Sequence, residues 1–329
     1  MANYPWKSRA LCMFAPHPDE VDKFSSFVEK VLVPDKIDTV VMIIRYNYMF
    51  ISHPECRGDY PLSSSDVKKM VGVCKKHNIN LVPDMNLLGH QDNQFKDDCL
   101  DGLLRAHPEL DETPDLEKVE YCRSICPNHP DALKIVTDLM DEVADAFSCN
   151  MFHIGMDEVF EIGSCPRCRD KDPGEIFANW VNKLAEHLKK RGITTMMWGD
   201  RLLNSYECCH GPWDASQNGT WTALDKVSKD IIITDWHYHN WASFPSVDIF
   251  AQKGFKIYLC PFNNADNAKL FLDYAKEHDK GHILGIMETT WTPGSYIMNA
   301  LLDLPLEDTD SWYKVGMPEI LNCYKFLFR

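Results

Sequence analysis

Asp157 and Glu158 are neighbouring carboxylates at the end of the apolar run Asn150-Met151-Phe152-His153-Ile154-Gly155-Met156. Adjacent side chains on a regular strand point to opposite faces. Where the backbone leaves β geometry, both can turn into one cleft. Gly155 allows backbone or ligand to approach closely there. Two carboxylates in one cleft suit acid/base chemistry, one exchanging a proton while the other stays charged. The competing reading is a solvated Asp-Glu pair opening a helix, where negative charge is favoured. The rest of the chain weighs against that second reading.

Four further apolar runs lead into polar or aromatic residues. They are Pro83-Asp84-Met85-Asn86-Leu87-Leu88-Gly89-His90, Met197-Trp198-Gly199-Asp200, Asp235-Trp236-His237-Tyr238-His239-Asn240-Trp241 and Glu288-Thr289-Thr290-Trp291. One Trp at a strand end is usually core. Several, accompanied by carboxylates, make a surface on which a pyranose stacks its C–H face while polar groups take its hydroxyls.

These residues need elements to hold them. Short apolar runs alternate with amphipathic helical stretches along the chain. Strands are expected at 11–15, 39–45, 80–85, 150–156, 194–198, 230–236, 255–260 and 283–287. Helices are expected at 19–31, 65–77, 131–146, 175–191, 247–253 and 264–278. The polar segment 89–130 exceeds an ordinary connection, so it should shape a site or cover one end of the fold. A second loop runs over 204–220. Repeated strand–helix alternation predicts an α/β fold, a (β/α)8 TIM barrel forming a single catalytic domain over 1–329. Its active groups belong at the carboxyl ends of the strands, where the carboxylates and tryptophans fall. A doubly wound open sheet is the alternative, weakened by the lack of a glycine-rich turn after the first strand.

Composition narrows the function. The 329 residues are 45% hydrophobic and 25% charged, with a formal net charge of −15. An acidic chain without a basic run argues against nucleic acid as a partner. No run of about 18 apolar residues offers a membrane span. Residues 1–9 lack the apolar core of a signal peptide, so a cytoplasmic location is favoured, with a trimmed signal as the alternative. Thirteen cysteines in a chain of this length read first as reduced, independent thiols. Cys122 and Cys126, with Cys165 and Cys168, form two close pairs that would suit a four-thiolate zinc site as a less favoured reading. Cys208 and Cys209 are adjacent, which strains any disulfide between them.

With these residues in view, the chain resembles glycoside hydrolase family 20, the β-N-acetylhexosaminidases, and within it a short, hexosaminidase D-like branch. His153-Ile154-Gly155-Met156-Asp157-Glu158 is similar to the family's His-x-Gly-Gly-Asp-Glu motif, and Pro83 to His90 to its Pro-Glu-x-Asp-x-Pro-Gly-His motif. Met197-Trp198-Gly199-Asp200, Tyr238-His239-Asn240 and Trp291 match later family positions in the family's order, over roughly residues 9–295. There are departures. Met156 replaces a glycine, which should narrow the space beside Asp157. Asp84 replaces Glu, Leu88 replaces Pro, and Asn240 stands where an Asp often contacts sugar hydroxyls. Arg9 could match the Arg that holds the 3- and 4-hydroxyls, although Phe14 replaces an Asp nearby.

The resemblance implies an exo-acting, retaining β-N-acetylhexosaminidase. The substrate's own 2-acetamido oxygen is the nucleophile, forming an oxazolinium intermediate. Glu158 would be the acid/base. Asp157 would hold the acetamide N–H and Tyr238 the acetamide oxygen. Trp198, Trp236 and Trp291 would wall the sugar, with Arg9, His90 and Asn240 also contacting it. His153 and Asp200 would support the carboxylates from behind. No metal or cofactor is implied. The expected partner is a glycan or glycoconjugate with a terminal β-linked N-acetylhexosamine, not nucleic acid or membrane, and a homodimer is left open. Two other readings compete: a carbohydrate-binding barrel that has lost turnover, and a metal-dependent hydrolase using His90, His153 and Asp157. The retained carboxylate pair argues against the first, and the absence of metal-binding histidine spacings against the second.

Overall fold

Eight parallel strands close into a barrel in the computed structural model, which describes residues 4–93, 99–117, 119, 121–208, 210–306 and 312–329. In chain order the strands are β1 (Ser8–Phe14), β2 (Thr39–Ile43), β3 (Asn80–Asp84), a separate antiparallel hairpin of β4 (Asp92–Asn93) and β5 (Cys99–Leu100), then β6 (Met151–His153), β7 (Thr194–Trp198), β8 (Ile232–Trp236), β9 (Lys256–Cys260) and β10 (Ile283–Thr289). The barrel runs β1-β10-β9-β8-β7-β6-β3-β2 and returns to β1. The fold is the expected (β/α)8 barrel.

Period-two alternation divides the strands between two cores. Ala10, Cys12, Val41, Val82, Met196 and Met287 fill the barrel interior. Their neighbours Leu11, Met13, Val40, Leu81, Met197 and Ile286 pack outward beneath the helices. The main covering helices are Ser64–Lys76, Ala132–Phe147, Pro173–Lys190, Pro245–Gln252 and Ala265–His278. Ser63 starts the first of these by accepting the Asp66 N–H, while the Asp66 carboxylate accepts from the Ser63 N–H, a reciprocal cap that satisfies two end donors.

Three boundaries differ from expectation for identifiable reasons. β1 starts at Ser8 because Ser8 and Arg9 pair with Gly285 and Ile286 of β10. A Cβ at Gly285 would lie 2.3 Å from the Ser8 carbonyl oxygen, so only glycine permits that pairing. The helix expected over 19–31 is α-helical at Val21–Phe27 and then widens to a π turn at Val28–Leu32. β6 is only Met151–His153, since the chain beyond it turns into the barrel mouth. Helices Gly294–Leu301 and Trp312–Phe328 were not anticipated. No helix among the described residues is long and apolar enough to cross a membrane.

Candidate active site

The turn after β6 aims the two carboxylates. Gly155 has φ +72°, Met156 +83° and Glu158 +49°. A Cβ at Gly155 would lie 2.9 Å from Asn86 Cα and 3.1 Å from the Met85 carbonyl oxygen, so this position accepts only glycine. Met156 takes a left-handed conformation that favours glycine, at a cost of roughly 1–3 kcal/mol. Its side chain is buried in the outer core and does not line the mouth of the barrel. The expected narrowing beside Asp157 is therefore absent. Arg45 (φ +50°), His90 (+53°) and Trp291 (+38°) are also left-handed and also line the mouth. Backbone strain of this kind persists where surrounding packing over-determines it.

His90 joins the carboxylates. Its Nε2 lies 3.1 Å from Asp157 Oδ2 and 3.2 Å from Glu158 Oε2. Burial opposes charge on this imidazole, but Cys122 and Asp157 favour it, and its pKa is raised well above the usual histidine value. Burial likewise pushes Asp157 up, but the nearby His90 charge outweighs it and holds the carboxyl below its ordinary range. Asp157 is thus an anion held by an imidazolium. Its other oxygen, Oδ1, is buried with no hydrogen-bond partner.

Glu158 is held at two points. Tyr121 Oη donates to its Oε2 at 2.8 Å. Its backbone N–H donates to Asp200 Oδ2 at 2.9 Å. Asp200 also accepts from Arg201 Nε at 2.6 Å and from the Trp236 indole N–H at 3.3 Å. Burial raises the Asp200 pKa to about 6, with Arg201 opposing that shift and Asp157 adding to it.

Aromatic rings close the walls. Trp198 and Trp291 have ring centroids 5.6 Å apart, and Trp236 and Tyr238 4.8 Å apart. The Trp291 indole N–H donates to Tyr238 Oη at 2.7 Å, and Thr289 Oγ1 lies 3.1 Å from the same oxygen. Burial raises the Tyr238 pKa, keeping the phenol neutral. Trp213 meets Tyr121 edge-on at 4.8 Å. Together with Phe14, Arg45 and His239 these groups surround a cavity of about 300 Å³. A more open groove of about 970 Å³ lies at the strand starts, around Thr194, Ile232 and Lys256, away from the carboxylates.

The cavity brings together Asp157, Glu158, His90, Trp198, Trp236, Tyr238 and Trp291. Other expected residues lie elsewhere. Arg9 is on β1 facing outward, where Nη2 donates to the Phe328 carbonyl at 2.6 Å and the guanidinium lies 5.2 Å from the Phe328 ring. It does not reach the cavity, and Arg45 is the arginine there. Asn240 is exposed outside the lining, 3.5 Å from Asn264 Nδ2. His153 lies inside the barrel, bonded to Thr234 Oγ1 at 2.9 Å and 3.0 Å from Asp84 Oδ2, with its ring 4.7 Å from Trp198. It supports the floor of the site instead of touching the two carboxylates. Sequence reading missed Tyr121, Arg45 and Trp213. Arg45 had one signal, its place just after β2. Tyr121 and Trp213 sit in irregular segments with no periodicity to mark them. The thiols also depart from expectation: Cys126, Cys165 and Cys168 converge, while Cys122 turns to His90. Cys209 lies outside the described residues.

Known proteins share the fold and identify the family. The chain is 24% identical over 262 residues to a beta-hexosaminidase of Akkermansia muciniphila, covering 73% of this chain and 50% of that protein. It is 23% identical over 173 residues to hexosaminidase D of Bos taurus, covering 49% of this chain and 46% of the other. It thus spans about half the length of these curated relatives. Among solved structures, a beta-N-acetylhexosaminidase of Bacteroides fragilis matches 98% of this chain and 72% of its own, with TM-score 0.66 and 15% identity. Dispersin B matches 98% of both chains with TM-score 0.58 and 15% identity. At such identities these structures speak for the fold alone. The model of glycosyl hydrolase family 20, catalytic domain, matches residues 45–298, a span that holds the whole carboxylate cluster and excludes Arg9. With more than half of its length matched, the chain belongs to glycosyl hydrolase family 20.

Proposed function

We propose that this chain is an exo-acting, retaining β-N-acetylhexosaminidase that removes terminal N-acetylglucosamine or N-acetylgalactosamine by substrate-assisted catalysis. One observation carries the reading. Asp157 Oδ1 is a buried acceptor without a partner, on a carboxylate whose other oxygen lies 3.1 Å from His90 Nε2. Leaving such a group unsatisfied is costly. An acetamide N–H from the substrate would satisfy it. The cavity of about 300 Å³ is at the small end of ligand sites, which suits a single terminal sugar. The names of three relatives, two beta-hexosaminidases and hexosaminidase D, support the same substrate class, and a fourth is a lacto-N-biosidase.

The acetamido oxygen attacks the anomeric carbon as the glycosidic bond breaks, and Glu158 gives its proton to the leaving oxygen. Asp157 stabilises positive charge growing on the oxazolinium nitrogen. Tyr238 donates to the acetamide oxygen and aims it. Glu158 then takes a proton from the water that opens the oxazolinium. The family is an exception to the two-carboxylate scheme, because the substrate supplies the nucleophile.

A panel of aryl β-glycosides tests this. Substrates bearing the 2-acetamido group should turn over, and glucosides lacking it should react barely or not at all. A thiazoline mimic of the bicyclic intermediate should bind far more tightly than the free sugar. Glu158→Gln should lose roughly 10²-fold or more with poor leaving groups and less with good ones. A glycosyl ester trapped on a protein carboxylate would sink the mechanism. Binding of N-acetylhexosaminides without any cleavage would select the binding-barrel reading instead.

A further inference from the structure

Outside the cavity, a second cluster has the chemistry of a metal centre. Glu112, Cys126, Cys165 and Cys168 are all buried, and each offers one donor atom within 4.8 Å of the others. Cys126 Sγ is 3.3 Å from Cys165 Sγ and 3.6 Å from Cys168 Sγ. Sulfurs on a tetrahedral zinc, with Zn–S near 2.3 Å, are about 3.8 Å apart. The three thiols therefore need only a small adjustment to share one ion.

The backbone is shaped to match. Cys165-Pro166-Arg167-Cys168 forms a tight turn in which the N–H groups of Cys168 and Arg169 both reach the Cys165 carbonyl at 2.9 Å. Asn128 Nδ2 donates to Cys168 Sγ at 3.2 Å. Such N–H···S contacts hold and partly neutralise ligating thiolates. Glu112 completes the set. Its Oε1 accepts the N–H groups of Gly163 and Ser164 at 2.7 and 3.0 Å. Its Oε2 is buried with no hydrogen-bond partner, on a side chain with no solvent exposure. A carboxylate oxygen left without a partner among buried thiols is unfavourable, and a cation at their centre removes the penalty.

We propose that Glu112, Cys126, Cys165 and Cys168 bind one structural zinc ion. Closed tetrahedral coordination with three soft thiolates is zinc chemistry. Binding displaces the three thiol protons to solvent, and no electron is transferred. The centre would clamp the segment 110–126, which follows β5, to the loop 163–168, which follows β6. Tyr121 lies within the first of these stretches, and Glu158 lies on the β6 turn that leads into the second. Zinc would therefore set their separation from outside the cavity, with no part in the reaction itself.

Metal analysis of the full-length protein, purified without metal-affinity steps, should find one zinc per chain. The triple variant Cys126→Ser, Cys165→Ser, Cys168→Ser should contain none. Glu112→Gln should lose zinc on dialysis against a chelator that leaves the unaltered protein loaded. Because the triple variant could fail to fold, a second measurement uses the unaltered chain. Cobalt(II) exchanged into it should show sulfur-to-cobalt charge-transfer bands and tetrahedral d–d bands, and zinc should abolish both. Alkylation mapped by mass spectrometry should find Cys126, Cys165 and Cys168 protected only when metal is bound. Absence of stoichiometric metal, cobalt spectra lacking thiolate bands, or a mapped disulfide among these three cysteines would overturn the proposal. So would full zinc retention by the triple variant.

Discussion

The Tyr121 hydroxyl donates to Glu158 Oε2 at 2.8 Å, although the two side chains come from segments on either side of β6. Tyr121 belongs to the long connection between β3 and β6, and Glu158 to the turn that leaves β6. The phenol is braced by Trp213 and by Phe160, whose ring lies 5.6 Å away. It fixes the carboxyl that we assign as acid/base. Tyr121→Phe keeps the ring packing and deletes the donor. A hydrogen bond to a charged group is worth about 1.5–3 kcal/mol, so kcat should fall roughly tenfold or more. KM and melting temperature should move little. An unchanged kcat with poor leaving groups would remove Tyr121 from the machinery.

Asp157→Asn tests charge against shape. The variant keeps a side-chain oxygen for the acetamide N–H but loses the negative charge. Removal of an oriented electrostatic partner costs roughly 3 kcal/mol, about two orders of magnitude in kcat. KM should change less, because the acetamide is neutral before attack. His90 should also deprotonate at lower pH in this variant, since Asp157 is one of the charges that raise its pKa. NMR titration of the His90 ring would read that shift. A covalent nucleophile would instead lose all turnover and respond to added azide. A mere capping group would leave kcat intact and lower stability by about 1 kcal/mol.

A buried charge network behind the cavity predicts loss of stability in base. His237 Nδ1 lies 3.1 Å from Asp214 Oδ1, and Nε2 lies 2.8 Å from Ser246 Oγ and 3.3 Å from Asp235 Oδ1. Burial opposes its charge, but Asp235 and Asp214 outweigh it and raise the pKa from 6.5 to about 9. The folded value is above the unfolded one. The network's contribution is therefore complete below about pH 6.5 and is lost as pH rises through about 9. A shift of this size is worth on the order of 3 kcal/mol. Melting temperature should fall over that window in the unaltered protein and stay flatter in His237→Gln. Asp214 adjoins Trp213, so tryptophan fluorescence should change over the same range. Parallel pH profiles for the two proteins would refute the assignment.

The two arginines should separate cleanly. Arg45 lines the cavity, with its guanidinium 5.9 Å from the Phe14 ring and Nη1 3.7 Å from Asp101 Oδ2. Loss of a charged hydrogen-bond donor to a sugar hydroxyl is worth about 1.5–3 kcal/mol, so Arg45→Met should raise KM roughly tenfold or more. Arg9→Met should leave KM unchanged and lower stability by about 1 kcal/mol, the usual scale for a lost contact. Steady-state kinetics and thermal melts of both variants decide the matter. A KM effect confined to Arg9→Met would reverse the placement.

What was legible in the sequence was local. The alternation of Ala10, Leu11, Cys12 and Met13, repeated strand after strand, specifies period and therefore the eight strands. Gly155 and the Asp157-Glu158 pair mark the end of β6 because a turn requires glycine and a cleft requires polar ends. Tryptophans at successive strand ends, Trp198 and Trp236, converge once the barrel closes. Pairing and closure had to come from the tertiary structure. The same alternation leaves open which face of β1 turns inward, and its register against β10 sends Arg9 out with Ile286 and Ala10 in with Met287. Tyr121 and Trp213 reach the cavity through long irregular segments, whose paths depend on contacts far apart in sequence. The cysteines show the same division. Spacing suggested pairing Cys122 with Cys126, yet chain direction through the connection turns Cys122 toward His90 and leaves Cys126 with Cys165, Cys168 and Glu112. Periodicity reports on neighbours within a few residues, whereas a site is assembled from groups that only folding brings together.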